Sequence, residues 1–72
     1  MRISARNQLK GTVESVHFGE VMAEVVVRLT GGERIVSAIT AESAKGLELA
    51  TGKAVSAIIK STEVMIGVED GR

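Results

Sequence analysis

Apolar residues recur at every second position over much of this chain, the period of a strand that buries one face. The pattern is clearest over residues 21–29. There Val21, Ala23, Val25, Val27 and Leu29 share one face, and Met22, Glu24, Val26 and Arg28 share the other. The second face is half apolar, which an isolated domain has no use for. Residues 7–18 read as an earlier strand with Gly11 inside it, a residue that marks a bulge or a tight bend. Gly19-Glu20 turns the chain, Thr30-Gly31-Gly32-Glu33 is a hairpin signal, and 34–39 is a third strand. The period then changes. Thr40 is a good N-cap and Gly46 a good stop, which predicts a short helix over 40–45, pinned to the core by Leu47 and Leu49. Ala50-Thr51-Gly52-Lys53 is a further turn. Strands four and five are expected over 54–59 and 63–68, before a charged, frayed end at 69–72.

Three strands, a short helix and two more strands is the layout of the OB-fold, a partly open barrel. The predicted class is all-β: a five-stranded OB-like Greek-key barrel with one short helix between strands 3 and 4. Its open edges suit covering by other chains, as does the half-apolar face of 21–29. No proline, repeat or linker divides the 72 residues, so one domain spans 1–72. A domain of this size buries only about 60% of its unfolded surface and usually needs a staple. There is no cysteine, and His17 is the only histidine. Disulfides and a histidine-cluster metal site are thereby excluded within one chain. Oligomerisation is left as the staple.

Nine basic residues balance nine acidic ones. A neutral chain lacks the basic surface that nucleic-acid binding requires, and a single aromatic, Phe18, gives bases nothing to stack on. No apolar run approaches a membrane span and no leader follows Met1, so the expected location is the cytoplasm, with no membrane partner. Catalysis has no support either. His17 sits among strand residues with no Asp nearby in sequence, no phosphate-loop glycine pattern is present, and Glu14, Glu20, Glu24, Glu33 and Glu63 read as solvated positions. The chain is expected not to be an enzyme.

Three short segments are rich in hydrogen-bond donors. Ser4-Ala5-Arg6-Asn7-Gln8 precedes the first strand. Thr40-Ala41-Glu42-Ser43 opens the helix, where unpaired backbone N–H groups face outward. Lys60-Ser61-Thr62 breaks the last two strands. Taken singly they read as an arm, a cap and a turn. Together they describe one chemistry: a small oxyanion held by hydroxyls, amides and one or two cations, with no acidic residue and no metal ligand needed.

The run Ser4-Ala5-Arg6-Asn7-Gln8-Leu9-Lys10-Gly11, with Thr40-Ala41-Glu42-Ser43 and Lys60-Ser61-Thr62-Glu63-Val64-Met65-Ile66, resembles the molbindins, small molybdate-binding proteins built from a single Mop domain of the TOBE/OB-fold family. The resemblance extends to about Val68. It implies an OB-like barrel assembled as a homo-hexamer, a trimer of dimers, that binds molybdate or tungstate at subunit interfaces for intracellular molybdenum storage, with no other cofactor. It implies that one subunit supplies Ser4 and Arg6, while its neighbour supplies Thr40, Ser43, Lys60 and Ser61. Rival expectations are a structural or regulatory oligomeric module, including a detached domain of a transporter or regulator, and a binder of the pterin cofactor. Met1 directly before the motif and the early end at Arg72 favour a free-standing protein. A pterin ring asks for an apolar or aromatic slot, and this chain has almost nothing to stack on it.

Overall fold

A computed structural model describes residues 1–70 of the chain; Gly71 and Arg72, the end of the expected frayed segment, lie outside the described residues. The chain forms strands β1 (Asn7–Phe18), β2 (Met22–Leu29) and β3 (Arg34–Thr40), helix α1 (Ala41–Gly46) and strand β4 (Ala54–Ile59). All neighbours are antiparallel, in the order β3-β2-β1-β4.

β1 organises the sheet because it is long enough to carry a partner on each side. Its first half pairs with β4, from Asn7↔Ile59 to Thr12↔Ala54, and its second half with β2, from Gly11↔Leu29 to Phe18↔Ala23. Gly11 is paired on both sides at once. A side chain there would meet the Arg28 carbonyl oxygen at 2.6 Å and Val27 Cγ1 at 2.7 Å, so the close crossing requires glycine. The bulge itself falls at Glu14, where the β1–β2 register slips between Val13 and Ser15. Glu14 reaches across the ladder to Arg28 (Nη2–Oε1 2.8 Å) and Arg34 (Nε–Oε2 2.8 Å). Hydrogen bonding from Arg34 does most to hold the Glu14 carboxyl below its ordinary range, outweighing a smaller upward pull from desolvation, with Arg28 adding to the lowering. The turn over 50–53 fastens this region: Val13 N–H donates to the Lys53 carbonyl and Gly52 N–H to the Val13 carbonyl.

The core is small. Val13, Val25 and Val27 form its buried centre, with Val16, Leu29, Ile39, Leu49 and Val55 packed around them. Ala23, Ala41 and Ala44 are the other buried apolar residues. The inward face expected of β2 is correct for Ala23, Val25 and Val27, but Val21 precedes the strand and is exposed. Of the two leucines expected to pin the helix, Leu49 does so and Leu47 stays in solvent.

Two expectations are corrected. Gly46 is the last helical residue rather than the left-handed stop. That role falls to Glu48, at φ 55°. Lys53 Nζ donates to the Leu47 carbonyl at 2.6 Å and so holds the helix end that Gly46 was expected to finish. The fifth strand over 63–68 does not form, leaving four strands among the described residues. Ser61–Glu63 make a single 3-10 turn, η1, and residues 64–68 lack strand pairing. Their alternation is a strand's, but a strand needs an edge to pair with. Beyond the turn the segment leaves its own core: Met65, Ile66 and Val68 are 86–92% exposed.

Because that fifth strand is missing, the sheet curls without closing. An apolar cleft of about 310 Å³ opens between β3 and β4. Ile35 and Ile39 form one wall and Val55, Ile58 and Ile59 the other, over a floor of the three core valines.

Candidate functional site

The donor-rich segments leave the sheet where its strands end. Thr40 follows Ile39, and Lys60 follows Ile59; both isoleucines line the cleft. β3 and β4 run in opposite directions, so Thr40 with Ser43 stands at one end of the cleft, beside the Phe18 end of β1, and Lys60 with Ser61 at the other, beside Asn7; one chain does not bring the two pairs together. The register Asn7↔Ile59 also places the arm 4–6 beside the exit of β4. Ser4, Arg6, Thr40, Ser43, Lys60 and Ser61 are all exposed.

Thr40 is held by its own cap. Its backbone is extended (φ −68°, ψ 148°) and its hydroxyl oxygen accepts from Ser43 N–H at 3.0 Å. The Thr40 hydroxyl in turn donates to Ser43 Oγ at 2.7 Å. One proton at this corner is thus committed inward, and the Ser43 hydroxyl keeps its own proton for an outside acceptor. Ala41 N–H is spent on the Val21 carbonyl. The helix is only six residues long, so the hydroxyls rather than its dipole carry the chemistry.

Lys60 is the N-cap of η1, with backbone in the extended region and no side-chain cap bond. Its carbonyl accepts from Glu63 N–H at 2.9 Å, which fixes the turn while the ammonium stays in solvent. Ser61 opens the turn with its side chain exposed. Among the described residues, Ser4, Arg6, Lys60 and Ser61 have no side-chain hydrogen bond to protein. Glu42 and Glu63, the nearest carboxylates in sequence, point into solvent as well.

The arrangement suits a ligand that offers only acceptors. Two cations and two serines, of 4–6 and 60–61, lie beside one end of an apolar cleft and the Thr40–Ser43 hydroxyls at its other end, with no acidic side chain bonded to any of them among the described residues. Among the described residues no cluster of three or more His, Cys, Asp or Glu side chains could hold a metal ion directly. The sequence reading named each of these donors. It did not foresee the cleft, whose signal was the apolar alternation of 34–39 and 54–59 on two strands that both end the sheet.

A curled, open antiparallel sheet with one short helix after its third strand is an architecture of the OB type. The TOBE domain model matches residues 3–66, and the chain belongs to this family. Molybdenum-pterin-binding protein 3 of Clostridium pasteurianum is 50% identical over 66 residues, covering 92% of this chain and 97% of that protein. The structure of MopII from the same organism superposes with a TM-score of 0.89 at 46% identity, covering 93% of this chain and all of the other. A molybdate-binding protein from Sporomusa ovata superposes with a TM-score of 0.88 at 40% identity, covering 94% of this chain and all of the other. No helix among the described residues is long and apolar enough to cross a membrane.

Proposed function

We propose that this protein binds molybdate, and its heavier congener tungstate, as a cargo oxyanion for molybdenum storage in the cytoplasm, and that it performs no catalysis. The reading is supported by the register Asn7↔Ile59, which sets the donors of 4–6 and 60–61, partnerless among the described residues, beside one end of the cleft, with the Thr40–Ser43 pair at its other end. Molybdate is a tetrahedral dianion whose four oxygens only accept hydrogen bonds. Arg6 and Lys60 neutralise it, and Ser4, Thr40, Ser43 and Ser61 fix its oxygens. Hydrogen bonds to a charged group contribute about 1.5–3 kcal/mol each, so a handful supports micromolar binding or better after the cost of association. Sulfate carries the same charge and shape on shorter bonds, so the donors are spaced to reach molybdate oxygens and to leave those of sulfate short.

The single Mop domain works as an assembly, a hexamer built as a trimer of dimers. Ser4 and Arg6 come from one copy and Thr40 and Ser43 from another; Lys60 and Ser61, at the opposite end of the cleft from Thr40 in any one chain, come from a copy other than the one that gives Thr40 and Ser43. Exposed donors hold a dianion weakly against water, and a second copy removes the water. The open cleft asks for the same thing. Residues 64–68 of another copy, apolar and unpaired in their own chain, supply the missing fifth strand.

Isothermal titration with molybdate, and with sulfate as control, tests the reading. Molybdate heat with a silent sulfate trace is the expected result. No heat with either ion refutes it and leaves a structural or regulatory oligomeric module, as in a domain of a transporter or regulator.

The name of the Clostridium relative favours one second reading, a molybdenum-bearing pterin. The cleft has room for an apolar ring, but its lining is aliphatic and Phe18 lies outside it. Titration with a pterin in place of molybdate separates the two.

A further inference from the structure

Two roles coincide at one turn. Lys60 caps η1 and Ser61 opens it, so two of the six proposed oxyanion ligands are also the hinge between β4 and the segment 64–68. The turn is held by two backbone hydrogen bonds, Glu63 N–H to the Lys60 carbonyl at 2.9 Å and Val64 N–H to the Ser61 carbonyl at 3.4 Å. The second is long for an N–H···O bond, so the turn is lightly fastened on its far side.

What hangs from the hinge has a definite destination. Residues 64–68 carry Val64, Ile66 and Val68 on alternate positions, 45–86% exposed in their own chain. The cleft offers a strip of matching length: the stretches 35–39 of β3 and 55–59 of β4 are five residues each, and both strands are edges of the sheet. Edge strands with free N–H and C=O groups beside an apolar slot take up a fifth strand from another chain. The occupant is the 64–68 segment of a second copy.

We infer that the oxyanion gates this exchange: a molybdate held by Lys60 and Ser61 fixes the hinge angle, keeps 64–68 seated in the neighbouring copy, and must leave before the segment can withdraw. This rests on the oxyanion site proposed above and adds a regulation to it. The loaded assembly is locked, and the empty one trades subunits. Release of cargo and remodelling of the assembly are then a single event. The rate follows from mass action. If only the unliganded hinge opens, exchange slows by the factor 1 + [molybdate]/Kd, about 100-fold at a hundred times Kd.

The experiment mixes the unlabelled protein with a uniformly nitrogen-15-labelled preparation and follows mixed assemblies by native mass spectrometry, with molybdate, with sulfate and with neither. Calorimetry on the same samples supplies Kd. The expected result is exchange within the time course in the empty and sulfate samples, and a slowing with molybdate that follows the factor above. Calorimetric binding of molybdate with an unchanged exchange rate overturns the gate and leaves the oxyanion site standing. Absence of molybdate heat overturns both. Replacing Ile66 by Asp, which leaves Lys60 and Ser61 in place, is expected to abolish mixed assemblies. Mixed assemblies that persist in Ile66→Asp at the wild-type rate overturn the choice of 64–68 as the occupant.

Discussion

Gly11→Ala probes the crossing that makes the cleft. At Gly11, β1 is paired with Leu29 on one side and Val55 on the other. An alanine Cβ would sit 2.6 Å from the Arg28 carbonyl oxygen and 2.7 Å from Val27 Cγ1. The valine can shift a little, but the carbonyl belongs to a backbone paired with both Thr12 and Arg34. Overpacking of this kind costs about 1–3 kcal/mol, and the reduced freedom of the unfolded chain returns about 0.4–1 kcal/mol. The net loss is about 1–2 kcal/mol. At about 4–8 °C per kcal/mol for a domain of this size, Tm falls by roughly 5–15 °C. Gly46→Ala is the matched control. Gly46 lies at the end of α1, a Cβ there meets nothing within 4 Å, and its φ is not positive. The entropic gain then stands alone, and Tm rises by a few degrees. Thermal unfolding followed by circular dichroism, at equal chain concentration, compares the two. If Gly11→Ala melts no lower than Gly46→Ala, the close crossing is not what glycine is there for.

Three further outcomes follow from the site and the ladder. Arg6→Ala is expected to weaken molybdate binding about 10- to 100-fold by calorimetry, the loss of one charge-assisted contact, with Tm of the empty protein unchanged, since Arg6 is exposed and unbonded. Thr40→Ala removes the helix cap as well as a ligand. Tm should fall by about 4–8 °C for the roughly 1 kcal/mol of the cap, and binding should weaken with it, whereas Thr40→Ser keeps both. The Glu14 carboxyl has a lowered pKa in the fold, so its contribution is present above the unfolded carboxylate pKa and is lost as pH falls through the lower, folded value. Melting from pH 7 to pH 3 should show wild type more stable than Glu14→Gln at neutral pH, with the two converging in acid.

The four strands were legible because each carries its own evidence. Two ladders bury alternate residues of Ala23–Val27, and the glycine pair 31–32 turns the chain between β2 and β3. Thr40 was readable as a cap because its chemistry is local: one hydroxyl, one N–H three residues on. What failed needed distant partners. Gly11 looked like a bulge, yet the bulge went to Glu14, where two arginines from other strands reward the outward turn of a carboxylate. Gly46 looked like a helix stop, but Lys53, seven residues later, caps the carbonyls beyond it. The apolar alternation of 63–68 was read correctly as strand-like. It could not disclose that the segment finds no edge to pair with in its own chain. For the site, local sequence identified donors one by one; the register Asn7↔Ile59 brings the segments 4–6 and 60–61 to neighbouring exits, and the opposed directions of β3 and β4, which no local pattern shows, put Thr40 and Ser43 at the far end of the cleft.

Assembly and ligand should be visible in one thermogram. The buried centre is three valines, and burying a valine is worth about 1.5–3 kcal/mol, so the isolated fold has little margin. The cleft leaves that centre open along one side. In the proposed assembly each copy gains from a neighbour that covers this side, and the donors at the ends of the cleft gain a drier environment with it. A ligand bound only by the assembled state stabilises it by RT ln(1 + [L]/Kd), about 2.7 kcal/mol at a hundred times Kd. At about 4–8 °C per kcal/mol, Tm should rise by roughly 10–20 °C on adding molybdate and hardly at all with sulfate. At the same molybdate concentration the rise should shrink to roughly 2–11 °C in Arg6→Ala, whose 10- to 100-fold weaker binding leaves about 0.4–1.4 kcal/mol and whose empty fold is intact. A Tm that stays flat in millimolar molybdate would show that the oxyanion does not distinguish the assembled chain from the unfolded one, and the interface site would have to be abandoned.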